Sequence, residues 1–266
     1  MTLRFMTWNI KTGGYDRKGD RLAAITAVIA RERPDILALQ ELRNFGRHGS
    51  RRLHELAGAV EMVPHLARSV LGQPVAVLVR PPLAIIRRSS VTWRLHHAAA
   101  AVTVRTASGP LTVVSTHLNP FSPPRRRREA VWLAARFGPA KGPVLLAGDL
   151  NGLDPGTDHT ETLAALPGIF HARHVSPDGA VDTRAVAAFG RAGLVDLWGV
   201  AGAGTPLTVP TTRGGGNEFS RMRLDYVFAD PQTAERALDV HVVRGDETEY
   251  ASDHYPVRAD LDIPTA

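Results

Sequence analysis

The chain contains no cysteine, which excludes disulfide staples and thiolate-bound zinc and leaves only histidine and carboxylate zinc sites open. Lysine is scarce as well. Lys11, Lys18 and Lys141 are the only three, so 29 of the 32 basic residues are arginine. Aromatic residues make up 6% of the chain, few for a protein that specialises in stacking single-stranded bases. No apolar run approaches the roughly 18 residues of a membrane-crossing helix. The opening Met1-Thr2-Leu3-Arg4-Phe5 lacks the long apolar stretch of a secretion signal. These absences predict a soluble, cytoplasmic monomer with no membrane partner.

What is present bounds the class. A length of 266 residues with 44% apolar content suits one large domain, 1–266, with a substantial core. The formal net charge is +6 and the pI about 10.3, which invites a nucleic-acid partner. The excess of arginine over lysine reads equally as compositional bias.

Leu3 to Ile10 alternates weakly and predicts a strand closed by Gly13-Gly14. Asp20 is the expected N-cap of a helix whose buried stripe is Leu22, Ile25 and Ile29, with Pro34 just beyond its end. Ile36-Leu37-Ala38-Leu39-Gln40 fits a fully buried strand, and a strand–helix–strand opening favours a layered α/β or α+β domain. Further strands are expected at Val75–Val79, Leu83–Arg87, Ala100–Arg105, Leu111–Thr116, Val144–Ala147, Leu224–Phe228, Val240–Val243 and Val257–Leu261. Helices are expected at Arg126–Arg136, led by Pro123-Pro124, and at Thr160–Leu166 and Thr183–Ala192. The glycine run Gly214-Gly215-Gly216 predicts a mobile loop.

Acidic and amide residues recur where these apolar strands end. Asn9 closes the first, Glu41 follows Leu37-Ala38-Leu39-Gln40, and Asp149 and Asn151 follow Val144–Gly148. His117 ends Leu111–Thr116, Asp225 sits inside an apolar strand, and Asp253-His254 precedes the last strand. Taken singly, Asp-x-Asn and Ser-Asp-His after or before a strand read as ordinary turns. Asp225 is harder to explain that way, because a buried carboxylate needs a partner, and a histidine would suit it.

As a set, these segments resemble the endonuclease/exonuclease/phosphatase superfamily. It includes deoxyribonuclease I-like and exonuclease III-like nucleases, inositol polyphosphate phosphatases, neutral sphingomyelinases and deadenylases. The resemblance rests on Thr7-Trp8-Asn9-Ile10, Leu39-Gln40-Glu41, Ser115-Thr116-His117-Leu118, Gly148-Asp149-Leu150-Asn151, Arg223-Leu224-Asp225-Tyr226 and Ser252-Asp253-His254-Tyr255-Pro256-Val257, in the family's order. It implies a four-layer α/β sandwich, two mostly antiparallel sheets flanked by helices. It also implies a phosphoesterase dependent on Mg²⁺ or Mn²⁺. Glu41 is then the principal metal ligand, supported by Asn9 and Asp253. Asp149 and Asn151 position the attacking water, and Asp225 orients His254. His117 stands at the position that holds His or Tyr beside the phosphate. Two departures matter. Lys11 replaces the acidic or amide residue the family often places two positions after the first-strand Asn. No carboxylate in Gln73–Arg80 supports His117, so phosphate binding is its expected role rather than general acid.

Arg125-Arg126-Arg127-Arg128 opens a helix, where cations oppose the macrodipole by about 0.3–1 kcal/mol each when exposed. A nearby anion would offset that, and Arg125 and Arg128 are candidate substrate contacts. Arg223, beside the glycine-rich loop, is a third. His159, His171 and His174 read as surface histidines rather than a zinc cluster. The segment Leu153-Asp154-Pro155-Gly156-Thr157 is unlike that of exonuclease III-type enzymes, and no membrane-binding stretch suits a sphingomyelinase. The expected substrate is a phosphodiester, DNA or RNA. The alternatives are a small phosphorylated metabolite, or a member repurposed for binding or non-hydrolytic chemistry.

Overall fold

The computed structural model describes residues 2–17, 19–216 and 218–265. In chain order, β1 (Leu3–Asn9), β2 (Tyr15–Asp16) and β3 (Gly19–Asp20) lead into α1 (Leu22–Glu32), β4 (Ile36–Gln40) and α2 (Arg51–Ala59). A run of strands follows: β5 (Val63–Ala67), β6 (Val75–Val79), β7 (Ala84–Val91), β8 (Ala99–Thr106) and β9 (Gly109–His117). Then come α3 (Pro123–Phe137), β10 (Val144–Asp149), α4 (Thr160–Ala164), α5 (Gly168–His171) and α6 (Arg184–Arg191). The chain closes with β11 (Val195–Asp196), α7 (Trp198–Ala201), β12 (Asp225–Ala229), α8 (Pro231–Ala234), β13 (Ala237–Val242), α9 (Thr248–Ala251) and β14 (Val257–Leu261).

Two six-stranded sheets form, in the orders β13-β14-β1-β4-β6-β5 and β11-β12-β10-β9-β8-β7. Each is antiparallel except for one internal parallel pair, β1 with β4 and β9 with β10. One core joins the facing sides of the sheets, through Phe5, Ile36 and Ala38 from the first and Val113, Leu145 and Val227 from the second. A second core places α3 and α6 on the outer face of the second sheet, and a third places α1 and α2 on the first. The result is the four-layer α/β sandwich that the resemblance implied.

Strand alternation explains where the chemistry falls. On β1 the residues facing the other sheet run Phe5, Thr7, Asn9; on β9 they run Val113, Ser115, His117; on β10, Leu145, Ala147, Asp149. The inter-sheet layer therefore turns from apolar to polar toward one end of the sandwich. The buried polar groups at this transition satisfy one another, as burial requires. Gln40 Nε2 donates to Thr7 Oγ1 at 3.1 Å and across the sheets to Ser115 Oγ at 3.0 Å, and Ser115 Oγ donates to the Leu39 carbonyl at 3.1 Å.

The structure corrects several sequence expectations. Asp20 lies one residue ahead of the helix boundary, where its Oδ1 accepts from Leu22 N while Arg52 pairs with it; the N-cap position is Arg21. β5 and α2 were not anticipated. Pro64 is tolerated in β5 because it is an edge strand, and α2 buries only Leu53, Leu56 and Ala57. β7 continues past Arg87 through polar Arg88-Ser89-Ser90, again at an edge.

Candidate active site

The C-terminal ends of the two parallel pairs meet at the polar end of the sandwich. Asn9 and Gln40 are register partners on one sheet, and His117 and Asp149 on the other; Asp149 is also paired with Asp225 across β10 and β12. The end of β10 depends on Gly148, whose φ is +144°; a Cβ there would lie 1.9 Å from the Thr116 carbonyl oxygen.

Asp149 is the hub. Its Oδ2 accepts from Asn9 Nδ2 at 2.9 Å, and its Oδ1 from the Asn151 backbone N–H at 2.9 Å. His117 Nε2 and His254 Nε2 lie 3.4 and 3.7 Å from the same Oδ2. Asn151, at φ +50°, donates through Nδ2 to the Leu118 carbonyl. Across the sheets, His254 Nδ1 pairs with Asp225 Oδ2 at 2.8 Å, both groups being buried. Trp8 Nε1 donates to the His254 carbonyl at 2.8 Å, and the Phe219 ring meets the imidazole edge-on at 5.4 Å.

These contacts set the protonation. Burial pushes the Asp149 carboxyl up to about 7; Asp225 adds to that, and the His254 imidazolium opposes it. Burial disfavours a charged His254, but Asp225 and Asp149 outweigh it and hold that ring at about 10, protonated at neutral pH. His117 goes the other way. Burial and the neighbouring histidines keep it neutral, well below the usual histidine range.

Glu41 stands at the edge of this cluster with φ +60°. Its Oε1 accepts from Asn9 Nδ2 at 3.2 Å, and its Oε2 from Thr12 N at 2.8 Å and Gln73 Nε2 at 2.6 Å. Asp253 Oδ2 pairs with Lys11 Nζ at 3.0 Å, and the same ammonium donates to the Gly214 carbonyl at 3.1 Å. The departure at Lys11 therefore places a fixed cation on the acid expected to support a metal. Among the described residues, one group of three histidine and carboxylate ligand atoms lies within 4.8 Å, contributed by Asp149, Asp225 and His254; such a group could hold a metal ion.

A cleft of about 380 Å³ gathers Glu41, His117, Asp149, Asn151, Asp253 and His254 on its walls, so the structure brings together most of the sequence-predicted site. Asn9 lies beneath, bonded to two of them. Arg125 and Arg128 are not on these walls. They line a second groove of about 390 Å³ with Trp93, Arg94 and Trp132, and it shares Leu71 and His96 with the cleft. Arg223 is elsewhere: it pairs with Asp196 at 2.7 Å and stacks over Tyr226, leaving its side chain 10% exposed. Arg126, from the same arginine run, is buried and donates to the carbonyls of Asn119 and Arg173. His174 and His159 are buried too, not surface histidines.

Sequence reasoning missed His97 and Gln73. The His97 ring stacks on His117 at 3.9 Å and 15°, and its Nδ1 accepts from the Gln73 backbone N–H at 2.8 Å. Gln73–Arg80 supplies no carboxylate to His117; instead Asp149 Oδ2 lies 3.4 Å from its Nε2 and the His97 ring stacks on it. The doublet His96-His97 just before β8 was the available signal. Arg43, Phe121, Arg173 and Phe219, also on the cleft, carried none.

The loop before β12 is tied down through Gly214 rather than mobile there. Gly214 N donates to Thr211 Oγ1 at 3.1 Å, and Thr211 N to the Asp253 carbonyl at 3.1 Å. Glu249 reinforces it, accepting from Thr212 Oγ1 at 2.6 Å, Tyr255 Oη at 2.5 Å and Gly245 N at 2.9 Å. Burial works against the charged form, but these donors win and bring Glu249 down to about 2. A depressed carboxylate stabilises above its unfolded value and loses that contribution as pH falls through its folded value. The stability gap between wild type and Glu249→Gln should thus be full at pH 7 and shrink from about pH 4.5 toward pH 2. Urea melts at several pH values check this; a gap that widens in acid would refute it.

A model of the endonuclease/exonuclease/phosphatase family matches residues 6–254. The chain belongs to that family. Similar solved structures include an endonuclease/exonuclease/phosphatase from Beutenbergia cavernae, at 26% identity and TM-score 0.69, covering 99% of this chain and 72% of that one. Another is a mannosyl-6-phosphatase from Bacteroides thetaiotaomicron, at 16% identity and TM-score 0.70, covering 97% of this chain and 99% of that one. A truncated Caenorhabditis elegans TDP2 matches at 19% identity and TM-score 0.67, covering 98% of each chain. No curated protein matches at a significant level. None of the helices in the described residues is long and apolar enough to cross a membrane.

Proposed function

We propose that the protein is a divalent-metal-dependent phosphodiesterase, acting as a nuclease on DNA or RNA. The observation that carries this reading is the Asp149 hub: one buried carboxylate, poised near neutrality, contacting Asn9 and Asn151 and facing two imidazoles on an open cleft. Hydrolysis needs a base for the water, donors for the phosphoryl oxygens and geometry that holds both. Asp149 takes the proton of the attacking water, and Asn9 and Asn151 fix the carboxylate. His254, held protonated and oriented by Asp225, presents Nε2–H to a phosphoryl oxygen. Neutral His117 offers a further phosphate contact.

The residues fit a hard cation. Gln73 Oε1 is buried without a partner, beside the Glu41 carboxylate that Gln73 Nε2 contacts. Glu41, with Asn9 and Gln73 around it, would hold Mg²⁺ or Mn²⁺, which favour oxygen donors. Asp253 would support it less directly, since Lys11 already neutralises that acid. In the Asp149–Asp225–His254 group, Asp225 and His254 are already bonded to each other, so it serves better as a proton network. A bound ion would offset charge on the phosphoryl group and acidify water.

The adjoining groove favours a polymer over a small metabolite. Arg125 and Arg128 make no ion pair among the described residues, and Glu129 of the same groove spends both oxygens on backbone N–H groups of His96 and Asn119. Two guanidiniums that no carboxylate neutralises, beside Trp93 and Trp132, suit the next phosphate and base of a strand. The test is turnover with Mg²⁺ or Mn²⁺ of plasmid DNA, DNA and RNA oligonucleotides, a small synthetic diester and sugar phosphates, each with a chelator control. We expect chelator-sensitive cleavage of nucleic acid. Arg125→Ala with Arg128→Ala should lower kcat/KM on the polymer about tenfold or more and spare the small diester. Turnover of sugar phosphates alone would replace this reading with that of a metabolite phosphatase. No turnover of any phosphoester would end the hydrolase reading.

A further inference from the structure

At the opposite end of the second sheet, Arg87 and Arg88 of β7, Arg136 of the last turn of α3 and Lys141 after that helix line a cavity of about 110 Å³. Its walls also carry the half-buried hydroxyl residues Ser89, Thr103 and Thr112, with Phe137 as an apolar side. No Asp or Glu lines it, and none of the four cations makes an ion pair among the described residues. That is far more room than one water needs, and nothing in the walls neutralises the charge.

The local backbone brings Arg87 there. Along β7, Ile85 is paired with Val104, but the ladder then slips, and Arg87 rather than Ile86 is paired with Thr103. Without this bulge, alternation would set Arg87 opposite Val102, on the side that faces the other sheet. With it, Arg87 joins Ser89 and Thr103 on the face under α3, while Ile86 is left 47% exposed. A bulge that exposes an isoleucine to aim an arginine into a cationic cavity is poorly explained by packing. Arg136 alone could be explained by the helix dipole, which favours a cation in the last turn. That account does not cover Arg87 or Lys141, which gather more positive charge around the same space.

We infer that this cavity is an anion site, separate from the catalytic cleft, that binds a tetrahedral phosphate group, either free phosphate or the phosphate of a small ester. Thr112 and Val144 lie five residues before His117 and Asp149 on the same strands, which sets the site about 17 Å from the hub. A ligand there does not occupy the cleft. Four cations supply the charge, and the Ser89 hydroxyl together with the Thr103 and Thr112 hydroxyls, which are bonded to each other at 3.2 Å, supplies directional polar contacts, the combination that recognises a phosphate oxygen set.

Site-resolved NMR of the full chain tests this. Inorganic phosphate should shift the backbone amides of Ser89, Thr103, Thr112 and Gly142 saturably, and chloride at matched ionic strength should not. Glycerol phosphate is the second probe. Shifts with it at similar concentration extend the ligand to phosphate esters; shifts with inorganic phosphate alone restrict it to the free ion. Arg87→Gln with Lys141→Gln should weaken phosphate binding at these amides at least tenfold and leave any response of cleft amides unchanged. Both side chains are exposed, so the core is untouched. A wild-type protein whose amides at this site do not respond, or a variant that binds phosphate as wild type does, overturns the inference.

Discussion

Asp149→Asn should lower kcat on any phosphoester the protein turns over by about two to four orders of magnitude, the usual weight of a positioned general base. The substitution keeps shape but turns one acceptor into a donor. The wild-type carboxylate accepts on both oxygens, from Asn9 Nδ2 and Asn151 N. An amide that keeps the Asn151 bond points its NH₂ at Asn9 Nδ2 and His254 Nε2, so donors face donors at a cost of about 1–3 kcal/mol. The same change removes a carboxylate whose burial is unfavourable, which offsets part of that loss. Activity should therefore collapse while the melting temperature moves only a few degrees. Steady-state kinetics with circular dichroism melts separates the two. A variant within tenfold of wild-type kcat would remove Asp149 from the base role.

The second large effect belongs to a residue that need not touch substrate. Asp225→Asn keeps an oxygen for His254 Nδ1 but deletes the charge that, with Asp149, holds the ring protonated against its burial. With that charge gone, burial pulls the ring down from about 10. A group held high by its partner is charged below that value, so losing the partner moves the alkaline limb of the pH–rate profile toward acid. At pH 8 we expect kcat to fall by about two to four orders of magnitude, with KM changing much less. The measurement is kcat from pH 5 to 10 for both proteins. An unmoved alkaline limb would deny His254 its role as a charged donor. A recovered rate at low pH would mark Asp225 as a positioning residue.

The sequence was most readable where local pattern and chemistry coincide. β4 is five buried residues followed at once by Glu41, and β10 runs apolar into Gly148-Asp149. Such strands announce both their burial and the acid they deliver, so a layered α/β domain and its strand-end acids could be read together; the four-layer sandwich and the joining of those acids in one cleft came with the family resemblance. What escaped depends on partners far along the chain. Arg126 is buried because the carbonyls of Asn119 and of Arg173, 47 residues away, converge on its guanidinium. Arg223 looked like a cleft arginine by its place beside the glycine-rich loop, but Asp196 and the Tyr226 ring claim it. Gln73 gave no sign, and the His96-His97 doublet pointed to no partner, because their contacts with Glu41 and His117 join segments whose register no local pattern states. Edge strands were the weak point of the fold, since polar β7 and proline-bearing β5 lack the apolar run that marked their neighbours.

The site is divided between the two sheets. Asn9, Glu41 and His254 ride on one, and His117, Asp149 and Asp225 on the other, so the bonds Asn9–Asp149 and His254–Asp225 are also rivets between them. A slip of one sheet across the other by a single ångström would loosen both at once, leaving base and imidazole each intact and useless. Neither half of the molecule carries half of the chemistry. Anything that grips the cleft also clamps the sandwich shut, so a tight inhibitor should slow global unfolding even though it touches only one end of the protein.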